Sequence, residues 1–155
     1  MTMKPYSEEL KRAYKETDFR ADTPRGAICI RVDEIHSDLD LVLHDHNARE
    51  WAYITAYNPG SNIRTAQTNQ RRHEELVQMV GKSGHKYFHG RGVGKDPAWE
   101  PEESLLIIGP GRKEAIRIGQ HFGQNAIVCG ALGSPAELVH CYGENEGHET
   151  SRQDD

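Results

Sequence analysis

The chain lacks most of the features that reveal a function at a glance. It has only three cysteines, Cys29, Cys129 and Cys141, and none lies in a Cys-x-x-Cys pair. Their odd number, in apolar strand-like runs, reads as buried reduced thiols in a cytoplasmic protein. No apolar run approaches the roughly 18 residues of a membrane span, so no membrane partner is expected. The first ten residues lack the apolar core of a signal peptide. Basic residues are the minority, 19 Lys and Arg against 24 Asp and Glu, for a net charge of −5. That disfavours broad nucleic-acid binding, which needs a basic face. Arg64, Arg71, Arg72, Lys82 and Lys86 leave room for a local basic patch only. There is no Gly-x-Ser-x-Gly nucleophile elbow, no phosphate-binding P-loop and no zinc-binding helix. No motif implies a cofactor, and none fixes a reaction.

What is present points to one domain over residues 1–142, followed by a polar, disordered tail over 143–155. With 35% hydrophobic and 28% charged residues, the core should be compact. The organising stretch is Trp51–Ser61, an aromatic and β-branched run ended by Asn58-Pro-Gly-Ser61. It reads as a buried strand stopping in a polar turn. Before it come a helix from Ser7 to Glu16, a short strand over 17–21, a strand over 27–32 and a helix over 37–46 capped by Ser37. After it, Thr65 or Thr68 caps a strong helix over 66–80. Lys86–His89 is a short strand running into a glycine-rich loop, Gly90–Gly94, and a loop continues to Glu102. Ser104–Ile108 is an apolar strand, 112–122 an amphipathic helix with Gly123 beyond it, 124–129 a strand, and 136–142 a last alternating one.

From Trp51 to Cys129 the order is strand, helix, strand, strand, helix, strand. That is the split βαβ arrangement. The fold class expected is an α/β (α+β) sandwich: a mixed sheet of about five to seven strands, a βαββαβ-like centre and helices packed on it.

Several of these residues also form a pattern. Thr55-Ala-Tyr-Asn-Pro-Gly-Ser61 is followed by Asn69-x-x-Arg72 and Leu76, then by the glycine-rich loop and Trp99. Glu102-Glu-Ser104 precedes the apolar strand, Phe122-Gly-Gln-Asn-Ala126 follows the last helix, and Tyr14-x-x-Thr17-x-Phe19 opens the chain. In this order they resemble the bacterial domain-of-unknown-function family 3293 over roughly residues 14–142. The step from Trp99 to the glutamates is a residue longer than the family's, which leaves open which glutamate corresponds. The resemblance brings no activity with it.

Four groups could carry chemistry. Asn58, Ser61, Asn69 and Arg72 cluster where the central strand ends and the helix begins; Arg72 suits a carboxylate or phosphate. The plain alternative has Arg72 paired with an acid such as Glu103. His85, His89 and Arg91 flank the glycines, and a surface loop is the simpler reading there. Trp99 stands near Glu100, Glu102 and Glu103. A carboxylate beside an aromatic wall can act as acid or base, and Glu103, at the start of the strand, is the one expected to point inward. Gln124 and Asn125 offer amides to a ligand or to loop backbone. His44-Asp-His46 lacks a third metal ligand, so no metal site is expected. The reading is a polar pocket for a small anionic or nucleotide-like ligand, held by Asn58, Ser61, Asn69, Arg72, Trp99 and Gln124, with Glu103 as the only general base. A non-enzymatic module that binds a protein partner is the alternative.

Overall fold

The computed structural model describes residues 7–143. Among them are four α-helices and a curled seven-stranded sheet in the order β2-β1-β4-β5-β3-β6-β7. The strands are β1 (Asp18–Thr23), β2 (Gly26–Ile30), β3 (Glu50–Thr55), β4 (Lys86–Val93), β5 (Glu102–Ile108), β6 (Ala126–Ala131) and β7 (Glu137–His140). The helices are α1 (Glu8–Lys15), α2 (Ser37–Asp45), α3 (Ala66–Ser83) and α4 (Arg112–His121). This is the α+β sandwich the sequence implies. The tail expected to be disordered lies, beyond Gly143, outside the described residues.

The sheet is not mixed. Every pair of named strands runs antiparallel. The cause is the split βαβ topology: β5 slots between β3 and β4, and β3 between β5 and β6, so strands joined by a helix are never neighbours. Hairpins then add β1–β2 at one side and β7 at the other. The only parallel contact among the described residues is the isolated bridge Val32–Ala136. It joins the chain after β2 to the chain before β7, so the two edges of the curl meet.

Each face has its own core. On one, α3 and α4 lay Leu76, Val80, Ala115, Ile118 and Phe122 on Ile54, Leu105, Ile107 and Ile127. On the other, α2 packs Leu39, Val42 and Leu43 with Trp51, Phe88, Leu106, Val32 and Ala136. The helix α1 shares that second face, but Leu10 is the one residue it buries fully. Its start is set by Ser7, whose Oγ accepts from the Leu10 amide at 3.1 Å. Thr65 caps α3 the same way, accepting from the Thr68 amide at 3.1 Å.

Three local readings are corrected. Ser37 is the first residue of α2 and His36 its N-cap, without a side-chain cap bond. Cys29 is exposed, because β2 is an edge strand and Cys29 sits between inward-facing Ile28 and Ile30; Cys129 and Cys141 are buried, and all three are free. Gly90–Gly94 is not a free loop: β4 continues through Val93. Gly90 is glycine for a reason of space. Tyr53 reaches across the sheet to donate its hydroxyl to the Arg20 carbonyl at 2.6 Å. A Cβ on Gly90 would lie 2.1 Å from that carbonyl oxygen and 2.8 Å from the Tyr53 hydroxyl.

Candidate functional site

The polar turn after β3 is built on left-handed backbone. Asn58, Gly60 and Ser61 have φ of 48°, 67° and 63°. Asparagine and glycine adopt this region readily, whereas serine does so at some cost. The turn is held down by Gly60 N–H donating to Gly123 O at 2.7 Å and by Asn125 Nδ2 donating to Ser61 Oγ at 3.0 Å.

Asn58 is the hub. Its backbone N–H donates to Asn69 Oδ1 and its own Oδ1 accepts from Asn69 Nδ2, both at 2.9 Å. Arg64 N–H donates to the same Oδ1 at 2.9 Å. With its oxygen so fixed, the amide must present Nδ2 the other way, where it donates to Glu102 Oε2 at 3.0 Å. Asn69 therefore positions Asn58, and Asn58 positions Glu102.

Glu102 opens onto a cavity of about 240 Å³ beneath α1. Its walls come from α1 (Leu10, Ala13, Tyr14), from Phe19, from Tyr53 and Thr55 on β3, from Ser104 on β5 and from Gln124 and Ala126. Ser61 and Ile63 stand on one side, and the segment after β4, with Lys95, Asp96, Trp99 and Glu100, on the other. Burial raises the Glu102 carboxyl above its ordinary range, and the Asn58 bond only partly offsets this. Burial likewise raises the Tyr14 phenol, with the charge of Glu102 adding to the shift. Tyr14 donates to Ala126 O at 3.1 Å.

The sequence-predicted residues fall into two sets. Asn58, Ser61, Trp99 and Gln124 line the cavity. Asn69 sits behind Asn58. Arg72 is not at the cavity: Nε donates to Ala56 O at 2.9 Å and Nη2 to Phe122 O at 2.5 Å, with the guanidinium 5.9 Å from the Phe122 ring. It ties the end of β3 to the end of α4 and meets neither Glu103 nor an open space for a phosphate. Glu103 lies on the opposite face of the sheet from the cavity. Arg91, its cross-strand partner, donates to its Oε2 from Nε at 2.9 Å and from Nη2 at 2.7 Å.

The swap of Glu103 for Glu102 follows from strand parity. Ser104 pairs with Thr55 and Leu106 with Tyr53. Side chains alternate, so Glu102, Ser104 and Leu106 face α1 while Glu103, Leu105 and Ile107 face α3. Tyr14, Phe19 and Tyr53 were missed because the cavity joins α1 and β1 to β3, elements remote from one another in sequence. The Tyr14-x-x-Thr17-x-Phe19 pattern was the available signal, since all three residues line the cavity.

The histidines do not converge. His85 Nε2 lies 2.9 Å from Glu114 Oε2, and His89 lies across the sheet face beside His73, ring centroids 6.0 Å apart. His46 Nδ1 bonds to Val42 O at 2.9 Å. Among the described residues no three His, Cys, Asp or Glu side chains are arranged to hold a metal ion. No described helix is long and apolar enough to cross a membrane.

Residues 54–127 match the family described as Protein of unknown function (DUF3293). Through this stretch, just under half of the chain, the sequence is similar to the DUF3293 family. The match is narrower than the span of 14–142 read from sequence. The DUF3293 stretch runs from β3 into β6 and contains Asn58, Asn69, Arg72, Trp99, Glu102 and Gln124; α1 lies outside it. Searches among curated proteins and among solved structures returned no match.

Proposed function

We propose that this protein binds a small molecule in the cavity under α1, with Glu102 as its polar anchor. One observation carries this reading: Glu102 Oε1 has no hydrogen-bond partner among the described residues, while five donors on the cavity wall are already engaged. Tyr14, Tyr53, Thr55, Ser104 and Gln124 all donate to backbone carbonyls. An unengaged acceptor thus faces the cavity, and a guest that meets it must bring a donor. Its body is flat and apolar, suited to Phe19, Leu10 and the half-exposed Trp99 ring. At about 240 Å³, the space is just below the roughly 300–1,000 Å³ of common ligand pockets, so the guest is small.

This reading alters the anionic ligand inferred from sequence. With Arg72 held by backbone carbonyls, Lys95 on the rim is the one cation among the lining residues. A nucleotide would seat its base, donor edge towards Glu102, and leave its phosphates outside at Lys95. The general acid or base assigned to Glu103 passes to Glu102, whose raised pKa suits proton transfer. The three free thiols favour a reducing compartment such as the cytoplasm.

The test is fluorescence titration of the full chain and of Trp99→Phe against nucleobases, aromatic amines and aromatic acids. Saturable quenching is expected that Trp99→Phe abolishes and Glu102→Gln weakens. Binding that survives both substitutions unchanged would refute the placement. A protein partner is a second reading, favoured by Ile63 and Trp99 standing exposed at 63% and 45% on the cavity's rim.

A further inference from the structure

The cavity's chemistry narrows the guest further, and this step rests on the small-molecule reading above. We infer that the group meeting Glu102 Oε1 is the cationic head of an organic amine, enclosed by the rings of Tyr14, Phe19 and Tyr53.

Three observations support it. First, Glu102 has no cationic partner; its single hydrogen bond is from the neutral Asn58 amide. Glu102 is half-buried; a carboxylate partly withdrawn from water without a counter-charge is costly, and a bound ammonium supplies that charge. A neutral donor would not. Second, Tyr14 and Phe19 lie with centroids 5.9 Å apart, and Phe19 and Tyr53 5.3 Å apart edge to face. Both phenol hydroxyls are turned into the protein, onto Ala126 O and Arg20 O. The rings thus offer the cavity aromatic carbon, the surface that attracts an ammonium. Third, the rim is acidic: Glu16, Asp96 and Glu100 outnumber Lys95. A carboxylate or phosphate guest would meet four acids and one base.

The proton balance follows. Where Glu102 is protonated in the empty protein, a fixed cation displaces that proton to the buffer and leaves the carboxylate paired with the ammonium. Affinity for a fixed cation should therefore rise with pH through the raised range of Glu102. The titratable or charged groups facing Glu102 are Tyr14 and Glu16 from α1, Tyr53 and Tyr57 from β3 and the turn, and Lys95, Asp96 and Glu100 from the following loop. The two tyrosines Tyr14 and Tyr53 are raised further from neutrality by burial.

The test uses three probes of one shape on the full chain: 2-phenylethylammonium, 2-phenylethanol and phenylacetate, by calorimetry and Trp fluorescence. The ammonium should bind at least about tenfold more tightly than the alcohol, and phenylacetate should not bind. Glu102→Gln should bring ammonium and alcohol within about twofold while keeping the alcohol's affinity and a melt no lower than the wild type's. Benzyltrimethylammonium, which cannot lose a proton, should release protons on binding at a pH within the raised range of Glu102, read from its enthalpy in two buffers, and Glu102→Gln should abolish that release. Equal affinity for ammonium and alcohol would overturn the cationic assignment and leave the small-molecule reading standing. Preference for phenylacetate would overturn it outright. Binding of none of the three would overturn this inference, and only a further failure of the nucleobases would remove the broader reading.

Discussion

Arg72 offers the sharpest test of how this site is built, because its sequence context suggests a ligand contact and its geometry gives it a structural role. Its guanidinium donates to Ala56 O at 2.9 Å and to Phe122 O at 2.5 Å, joining the last turn of β3 to the end of α4. Hydrogen bonds from a charged donor contribute about 1.5–3 kcal/mol each. The two share one side chain that is only partly buried, so their loss is sub-additive and water reaches part of the gap. For Arg72→Ala we expect about 3 kcal/mol of destabilisation, a fall in melting temperature of roughly 6–12 °C for a chain of this size. Arg72→Lys should lose about half as much, since one ammonium cannot span both carbonyls as the planar fork does. Urea unfolding followed by Trp fluorescence measures both, with the slope unchanged if only native-state bonds are lost. A loss below about 0.5 kcal/mol together with abolished ligand binding would refute the structural role and return Arg72 to the binding site.

The remaining predictions test the cavity and the sheet around it. Burial raises the Glu102 pKa from its ordinary 4.5, so the folded state holds that proton more firmly than the unfolded chain. The stabilising contribution is complete below 4.5 and is lost as pH rises through the raised value. Wild type should therefore lose stability relative to Glu102→Gln over that range, and parallel pH profiles from urea unfolding would contradict the burial. Gly90→Ala places a Cβ 2.1 Å from Arg20 O. It should cost about 2–3 kcal/mol and speed amide exchange across the β1–β4 pairing, and a neutral result would show that Tyr53 does not cross there. Ala13→Leu projects into the cavity from α1. It should raise stability by about 0.5–2 kcal/mol in thermal melts and abolish small-molecule binding; unchanged binding would place the guest elsewhere.

Local chemistry was legible in the sequence where it acts within a turn or two. Ser7 announces its helix, and Thr65 or Thr68 the start of α3, because capping is a contact three residues long; the structure gives the cap to Thr65. The βαββαβ order reads correctly because helical and strand periods differ. Asn58, Ser61, Trp99 and Gln124 could be placed near one cavity because each borders an element end. What could not be read depends on register and on distant partners. Leu105 to Ile108 are all apolar, so the run conceals which side each residue faces, and with it whether Glu102 or Glu103 turns inward. The glycines of β4 read as a loop since composition cannot show that Tyr53 passes over Gly90. Arg72 reads as an anion binder since the carbonyls it holds belong to residues 16 and 50 positions away.

The cavity itself follows from unequal packing of the two faces. Under α3 and α4, large side chains meet large side chains, and the layer is filled by Leu76, Val80, Ile118 and Phe122. Under α2 the same holds, with Leu43, Trp51 and Phe88. Under α1 the helix buries only Leu10 fully, and the positions opposite it are Thr55, Gly92, Ser104 and Ala126, all small. A gap left by chance in a core would be apolar and would shrink as neighbours relaxed. This one is bordered by a turn with strained backbone at Ser61, and two asparagines act in series to orient one carboxylate towards it. Desolvating that carboxylate without a counter-charge lowers the stability of the empty protein. Small side chains opposite α1 and an oriented, partly desolvated carboxyl group oppose folding individually. On the proposed reading, they become favourable together when a guest of complementary charge fills the space.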